Sequence, residues 1–248
     1  MTQTEHIVAL VTGATGGLGT HMVKRLIHDG YRVIANYRSP QKAEEWFAEM
    51  KKEGYEPYMY QADVADYEEV GKMVEKIHNE IGVIDILVNN AGITRDMAFR
   101  KMGPESWDIV MKTNLYSVFN CCSHVIGPMV DQLYGRIINI SSVNAQRAQF
   151  GQVNYAAAKA GMHGFTKTLA VEVARKGITV NTISPGYIAT DMVLAVAEEV
   201  REQIIKGIPM GRLGGTEEIA HLVSFLASEE AAFITGANYA INGGQHVY

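Results

Sequence analysis

Short apolar runs alternate with longer amphipathic segments from one end of the chain to the other, and no Pro/Ser-rich linker or break in composition interrupts them. Runs such as Ile7 to Val11 and Ile84 to Val88 carry apolar residues on both faces, which suits strands of a parallel sheet covered by helices on each side. Seven strands are expected: Ile7 to Thr12, Arg32 to Asn36, Glu56 to Gln61, Ile84 to Asn89, Arg136 to Ser141, Thr179 to Ser184 and Ala237 to Ile241. Helical patterns fill the gaps between them. With right-handed crossovers this is an α/β fold, a Rossmann-type doubly wound parallel sheet of about seven strands flanked by helices, expected as one domain over residues 1–248. Ligands of such sheets bind beyond the carboxyl ends of the strands, so the residues that follow each strand carry the most information.

Composition narrows the function classes. Of 248 residues, 22 are Lys or Arg and 27 Asp or Glu, a formal charge of −5 with no basic cluster, which argues against nucleic acid as the main partner. The start lacks a basic region followed by an apolar one, and nowhere do 18 apolar residues run together, so a cytoplasmic protein without a membrane partner is expected. Cys121 and Cys122 are neighbours in an apolar stretch and cannot close a useful loop; they are expected as core fillers in a reducing compartment. The eight histidines show no HxxxH or CxxC spacing, so no metal site is expected. The charge balance makes small molecules the better expected partners, and the 24 glycines, which follow no period, must have local tasks.

The first such task lies after the first strand, in Thr12-Gly13-Ala14-Thr15-Gly16-Gly17-Leu18-Gly19, ahead of the helical segment His21 to His28. Glycine there permits a tight turn and lets backbone N–H groups approach a pyrophosphate at the positive end of a helix; the plainer alternative is an ordinary strand-to-helix loop. The second strand runs into Asn36-Tyr37-Arg38 and has no carboxylate where NAD-specific folds place one against the ribose 2′-hydroxyl. Arg38 could instead pair with a 2′-phosphate, which makes NADPH/NADP+ the expected cofactor, against a merely solvated arginine. Asp63-Val64 closes the third strand, where the carboxylate could accept from the adenine amino group or cap the next helix.

In Gly151-Gln152-Val153-Asn154-Tyr155-Ala156-Ala157-Ala158-Lys159 the alanines favour a helix, and the spacing puts Tyr155 and Lys159 on one face. A phenol that exchanges a proton near neutrality needs adjacent positive charge worth roughly 4 kcal/mol. Ser141 and Ser142 follow the fifth strand, where a hydroxyl could hold a substrate carbonyl beside that phenol. Asn114 lies in the helical segment Trp107 to Asn120, where its amide could bind a water that links Lys159 to solvent.

Taken together, TGATGGLG (12–19), NNAG (89–92), Asn114, Ser142, Tyr155-AAA-Lys159 and Pro185-Gly186 resemble the short-chain dehydrogenase/reductase family in order and spacing, over nearly the whole chain. The resemblance implies that Tyr155 is the general acid of carbonyl reduction, that Lys159 lowers its pKa and binds the nicotinamide ribose, that Ser142 orients the carbonyl and that Asn114 supports a proton relay. It further implies a cofactor cleft of Gly13, Thr15, Gly16, Gly17, Leu18, Gly19, Arg38, Asp63 and Val64, with Asn90, Ala91 and Gly92 on the adenosine side and Pro185, Gly186, Ile188 and Thr190 at the nicotinamide. NAGITRD followed by FRKM (99–102) is similar to two kinds of reductase within the family, those acting on acetoacetyl-CoA and those acting on 3-oxoacyl carrier-protein thioesters. SVNAQRAQFGQ (142–152), with bulky Gln149 and Phe150, resembles the CoA-specific kind, as does the absence of basic residues in Asp131-Gln132-Leu133. The resemblance therefore implies acetoacetyl-CoA as substrate, with Asp96, Gln149, Phe150, Gln152 and Tyr187 as contacts beside Ser142 and Tyr155; Phe150 could equally be core, and Asp96 or Gln152 a loop or helix cap. The amphipathic segment Val193 to Lys206 is expected to be a mobile helical lid over the substrate, the plainer alternative being a surface helix. The end from Ala237 to Tyr248, with Gly243-Gly244, is similar to the family's tetramer contacts and implies a homotetramer.

Overall fold

Each of the seven expected apolar runs forms a strand in the computed structural model, which describes residues 7–247. These are β1 (Val8–Val11), β2 (Arg32–Tyr37), β3 (Tyr58–Gln61), β4 (Ile84–Asn89), β5 (Gly135–Ile140), β6 (Ile178–Pro185) and β7 (Asn238–Ile241). They pair in parallel in the order β3-β2-β1-β4-β5-β6-β7. The order reverses between β1 and β4, which opens a crevice at their carboxyl ends.

The helices are α1 (Gly17–His28), α2 (Pro40–Lys52), α3 (Tyr67–Glu80), α4 (Pro104–Met111), α5 (Ser117–Gln132), α6 (Val153–Val173), α7 (Asp191–Leu194), α8 (Glu198–Lys206) and α9 (Thr216–Ala227). Successive strand residues point to opposite faces, so the sheet has two cores. Val8, Leu10, Ile34, Leu87, Ile137 and Val180 pack under α3, α5 and α6. Ala9, Val11, Val33, Ile86, Val88 and Ile138 pack under α1 and α9. Cys121 and Cys122 are buried free thiols in the first core, and burial pushes the Cys122 thiol up to about 12. No helix among the described residues is long and apolar enough to cross a membrane.

Three local expectations need correction. The segment Trp107 to Asn120 is not one α-helix, because a π-turn over Lys112–Tyr116 separates α4 from α5. Val193 to Lys206 is not one helix either: Ala197, in an extended conformation (φ −51°, ψ 142°), divides α7 from α8. Asp63 does not cap the next helix, since its Oδ1 accepts from the N–H of Ala65 while Asp66 caps α3 by accepting from the N–H of Glu69.

Candidate active site

The crevice is framed by three loops laced to one another. After β1, the Thr12 hydroxyl accepts from the N–H groups of Asn90 and Ala91 at 3.0 and 3.1 Å, and Asn90 Nδ2 donates back to the carbonyls of Thr12 and Gly13. Gly13, at φ +59°, lies so close to Ala91 that a Cβ there would come within 2.9 Å of the Ala91 Cα. From the other side Asn36 Oδ1 accepts from the Gly13 N–H, while its Nδ2 donates to the Ala62 carbonyl at 3.1 Å. The turn between β1 and α1 is thus fixed from both neighbouring strands. At Gly19 a Cβ would meet the Gly13 carbonyl and Ala14 at 2.5 and 2.8 Å, so α1 can begin tight against the turn only with glycine.

The cap position Gly16 offers α1 no side-chain hydrogen bond, which leaves the first-turn N–H groups to a ligand. Thr190 closes over Gly17 from the β6 side, within 3.3 Å of a Cβ built there. A small anion such as a pyrophosphate fits this backbone-lined, glycine-walled turn. Further out, the Arg38 side chain is 65% exposed and stands 3.9 Å from Asp63 Oδ2, which brings the two adenosine-side candidates together. Val64 sends its side chain into the core and its carbonyl to Asn120 Nδ2, so its N–H is the main-chain group it has left to offer.

The chemistry-bearing residues converge at the ends of β4, β5 and β6. Lys159 is 3% exposed; its ammonium donates to the Ile140 carbonyl at 2.7 Å and lies 5.7 Å from the centre of the Tyr155 ring. Burial lowers the Lys159 pKa to about 7. Burial also raises the Tyr155 pKa, the hydrogen bond with Ser142 works against that rise, and Asp96 adds to it. The chain's own groups therefore leave the phenol protonated at neutral pH, chiefly because it is buried. The Ser142 hydroxyl accepts from the Asn144 N–H at 3.1 Å, which orients it.

Asn114 sits on the π-turn, a distortion common at functional sites. Its Nδ2 donates to the carbonyls of Ile93 and Val110, and its Oδ1 accepts from the Ile93 N–H. Gly92 separates Asn114 from Lys159: a Cβ there would lie 2.5 Å from Asn114 Oδ1 and 3.4 Å from Lys159 Nζ. With both Nδ2 hydrogens used, Oδ1 keeps one lone pair for a water beside the ammonium.

A polar chain forms the adjoining wall. Gln152 Nε2 donates to Asp96 Oδ2 at 2.7 Å, Asn144 Nδ2 donates to Gln152 Oε1 at 2.9 Å, and Arg147 Nε donates to Asn144 Oδ1 at 3.4 Å. The Arg147 guanidinium in turn lies 5.9 Å from the centre of the Tyr187 ring. Gln152 stands at the α6 cap position, but its side chain serves this chain and not the helix. Phe150 is 87% exposed and is not core, and Gln149 is half-buried beside it. Behind β6, Gly186 packs against Asn242, Ile188 bridges to Gly214, and the Tyr187 N–H donates to Gln245 Oε1 at 3.0 Å.

Thr12, Asn36, Asn144 and Gln245 support the site without having been singled out in the sequence. A hydroxyl or amide at the last position of a strand was the available signal for Thr12 and Asn36. Nothing local marked Gln245, which lies 58 residues from its partner.

A family model described as enoyl-(acyl carrier protein) reductase matches residues 13–246. The chain is 51% identical to an acetoacetyl-CoA reductase of Cupriavidus necator, over 97% of this chain and 98% of that one. It is 52% identical to an acetoacetyl-CoA reductase of Allochromatium vinosum, over 96% and 97%. It is 45% identical to a 3-oxoacyl-[acyl-carrier-protein] reductase of Staphylococcus aureus, over 96% and 98%. A solved structure assigned as a gluconate dehydrogenase of Agrobacterium tumefaciens superimposes with a TM-score of 0.92 at 30% identity, covering 98% of this chain and 96% of that one. With the motifs and the crevice, these matches place the chain: it belongs to the short-chain dehydrogenase/reductase family.

Proposed function

We propose that the chain reduces the 3-oxo group of acetoacetyl-CoA to (R)-3-hydroxybutyryl-CoA with NADPH, in the cytoplasm, supplying a polyhydroxybutyrate precursor. The observation that carries the reading is the convergence of Tyr155 and Ser142 beside buried Lys159, whose ammonium lies 5.7 Å from the centre of the Tyr155 ring. It offers a carbonyl oxygen one hydroxyl to hold it and another to protonate it. When bound, the reduced nicotinamide supplies the hydride. Ser142 fixes the carbonyl, and Tyr155, protonated at neutral pH, gives its proton to the oxygen as that oxygen becomes an alcohol. Lys159 in its ammonium form stabilises the phenolate left behind, and a water on Asn114 Oδ1 returns the proton through it.

The cofactor is held at Gly13, Thr15, Gly16, Gly17, Leu18 and Gly19, by Asp63 and Val64, by Asn90, Ala91 and Gly92, and by Pro185, Gly186, Ile188 and Thr190. The preference for NADPH rests on Arg38 and on the absence of a carboxylate at the end of β2. Arg38→Ala is expected to raise the KM for NADPH about tenfold and to leave that for NADH little changed.

The acyl thioester lies against Asp96, Gln149, Phe150, Gln152 and Tyr187, where the Asp96–Gln152–Asn144 chain makes a fixed polar wall. The second reading, a 3-oxoacyl carrier-protein reductase, is favoured by the Staphylococcus relative. The preference for CoA is supported by bulky, exposed Phe150 in the loop before α6 and by the higher identity to the two CoA reductases. Comparing kcat/KM for acetoacetyl-CoA with that for an acetoacetyl carrier-protein thioester decides: the former is expected to be larger, and a large preference for the latter overturns the assignment. Assembly as a homotetramer is supported by the position of β7 at the end of the sheet and by an exposed, mainly apolar groove of about 640 Å³ lined by Tyr67, Leu115, Tyr116, Phe119, Asn120 and Phe165. Sedimentation as a monomer would contradict it.

A further inference from the structure

Beneath Tyr155 and Lys159, α6 meets the sheet through polar side chains. The Ser141 hydroxyl donates to the Lys159 carbonyl at 2.9 Å, and its oxygen lies 3.0 Å from His163 Nε2. The same ring nitrogen lies 3.3 Å from the Ser184 hydroxyl oxygen, whose proton goes to Asn238 Oδ1 at 2.7 Å. With the Ser141 proton on the Lys159 carbonyl and the Ser184 proton on Asn238 Oδ1, the role that matches both contacts is His163 Nε2 as donor to the two oxygens. One turn further along α6, Asn139 Nδ2 and the Thr182 hydroxyl both donate to Thr166 Oγ1 at 2.8 Å, and Asn89 Nδ2 donates to Asn139 Oδ1 at 2.8 Å.

We propose that His163 is a positioning residue for the Tyr155–Lys159 pair, fixing the register of α6 against the ends of β5 and β6 through Ser141 and Ser184. Three consecutive residues at the end of β5 hold the reacting groups: the Ile140 carbonyl takes the Lys159 ammonium, the Ser141 hydroxyl takes the Lys159 main chain, and Ser142 takes the Tyr155 phenol. His163 grips the middle member and ties it across to β6. An apolar residue of similar size would fill the same space but would free both hydroxyls to turn. The helix could then shift by a fraction of an ångström, on a scale where misplacement of about 1 Å costs up to a hundredfold in rate.

The ring remains neutral at neutral pH, because burial and then the Lys167 ammonium lower its pKa. On its own helix it has Lys159 and Lys167 nearby; β5, β6 and β7 present Ser141, Ser184 and Asn238 to it, none of them charged.

The inference rests on the proposed reduction, and the test separates the two. With acetoacetyl-CoA and NADPH, His163→Leu is expected to lower kcat at least about tenfold while both KM values stay within about threefold. His163→Gln or His163→Asn, which keep an N–H, are expected to restore most of kcat. A smaller fall in His163→Leu, or amide variants as impaired as the leucine variant, would overturn the proposal. Should His163→Leu not fold, 15N NMR of the wild-type ring decides: the form protonated on Nε2 is expected, and a proton on Nδ1 refutes the clamp. Tyr155→Phe is the control. If it retains activity the reduction mechanism fails, whereas an inactive Tyr155→Phe beside a fully active His163→Leu removes only the role of His163.

Discussion

The same sheet is covered in two different ways. Between α1 and α9, Met22, Val23 and Leu26 pack against Ile219, Val223 and Leu226, all buried, and polar contacts are left to the rim, where Ser224 meets Asp29 and His21 meets Glu217. Under α6 the sheet presents Asn139, Ser141, Thr182 and Ser184, and the helix answers with Lys159, His163 and Thr166. Apolar packing is non-directional and tolerates small slides; a hydrogen-bonded set with each donor aimed at one acceptor does not. The α1/α9 side supplies stability from buried area, and the α6 side gives up part of that for a fixed position. Substitutions on the two sides should therefore separate activity from stability.

The largest separation is expected at Lys159. Lys159→Met should reduce turnover of acetoacetyl-CoA by about a thousandfold or more, since the phenol loses its cationic neighbour. Yet it should raise Tm by roughly 3–8 °C at pH 7, because a buried ammonium is removed. Burial lowers the lysine from 10.5 to about 7 in the folded chain. Between those values the unfolded chain binds the extra proton, so the wild type gains stability as pH rises from about 7 toward 10.5. The Tm advantage of the methionine variant should be full at and below pH 7 and shrink on the way to pH 10; an advantage independent of pH would show that the ammonium is not what the fold resists.

Leu26→Ala makes the opposite test. Leu26 is fully buried between α1 and the sheet, so the substitution should cost about 2–5 kcal/mol and lower Tm by roughly 5–15 °C. Its kcat and both KM values should stay within about twofold of wild type at a temperature where the variant is folded. A tenfold fall in kcat without loss of folded protein would mean that the two sides are mechanically coupled and would break the comparison.

The sequence disclosed the two sides unequally, and the reason is physical. All seven strands stood within two residues of their expected ends, because apolar runs bounded by glycine and polar turns announce buried parallel strands. Tyr155, Lys159 and Ser142 were legible because helical spacing and a strand end are local patterns, and the structure brings them together. Helix α1 begins four residues before the expected His21, since glycines that read as loop are here the first turn of the helix. The π-turn at Asn114 was invisible: no local pattern marked the extra residue in that turn. Nor were the polar contacts under α6 legible. Asn139, Thr166 and Thr182 are 27 and 16 residues from one another along the chain and meet only because β5 and β6 are neighbours beneath one helix.

That long-range contact gives the smallest and most discriminating test. Thr166→Val keeps the shape of the side chain and removes one oxygen, which leaves Asn139 Nδ2 and the Thr182 hydroxyl buried without their acceptor. The expected cost is about 1–3 kcal/mol in chemical denaturation, less than that of Leu26→Ala. Despite the milder loss, kcat with acetoacetyl-CoA should fall about three- to tenfold, because the contact that sets α6 in register is the one cut. If stability alone governed activity, the leucine variant would be the slower enzyme. Thr166→Val being slower while the more stable of the two is the outcome that assigns register to the polar side of the sheet, and the reverse order withdraws that distinction.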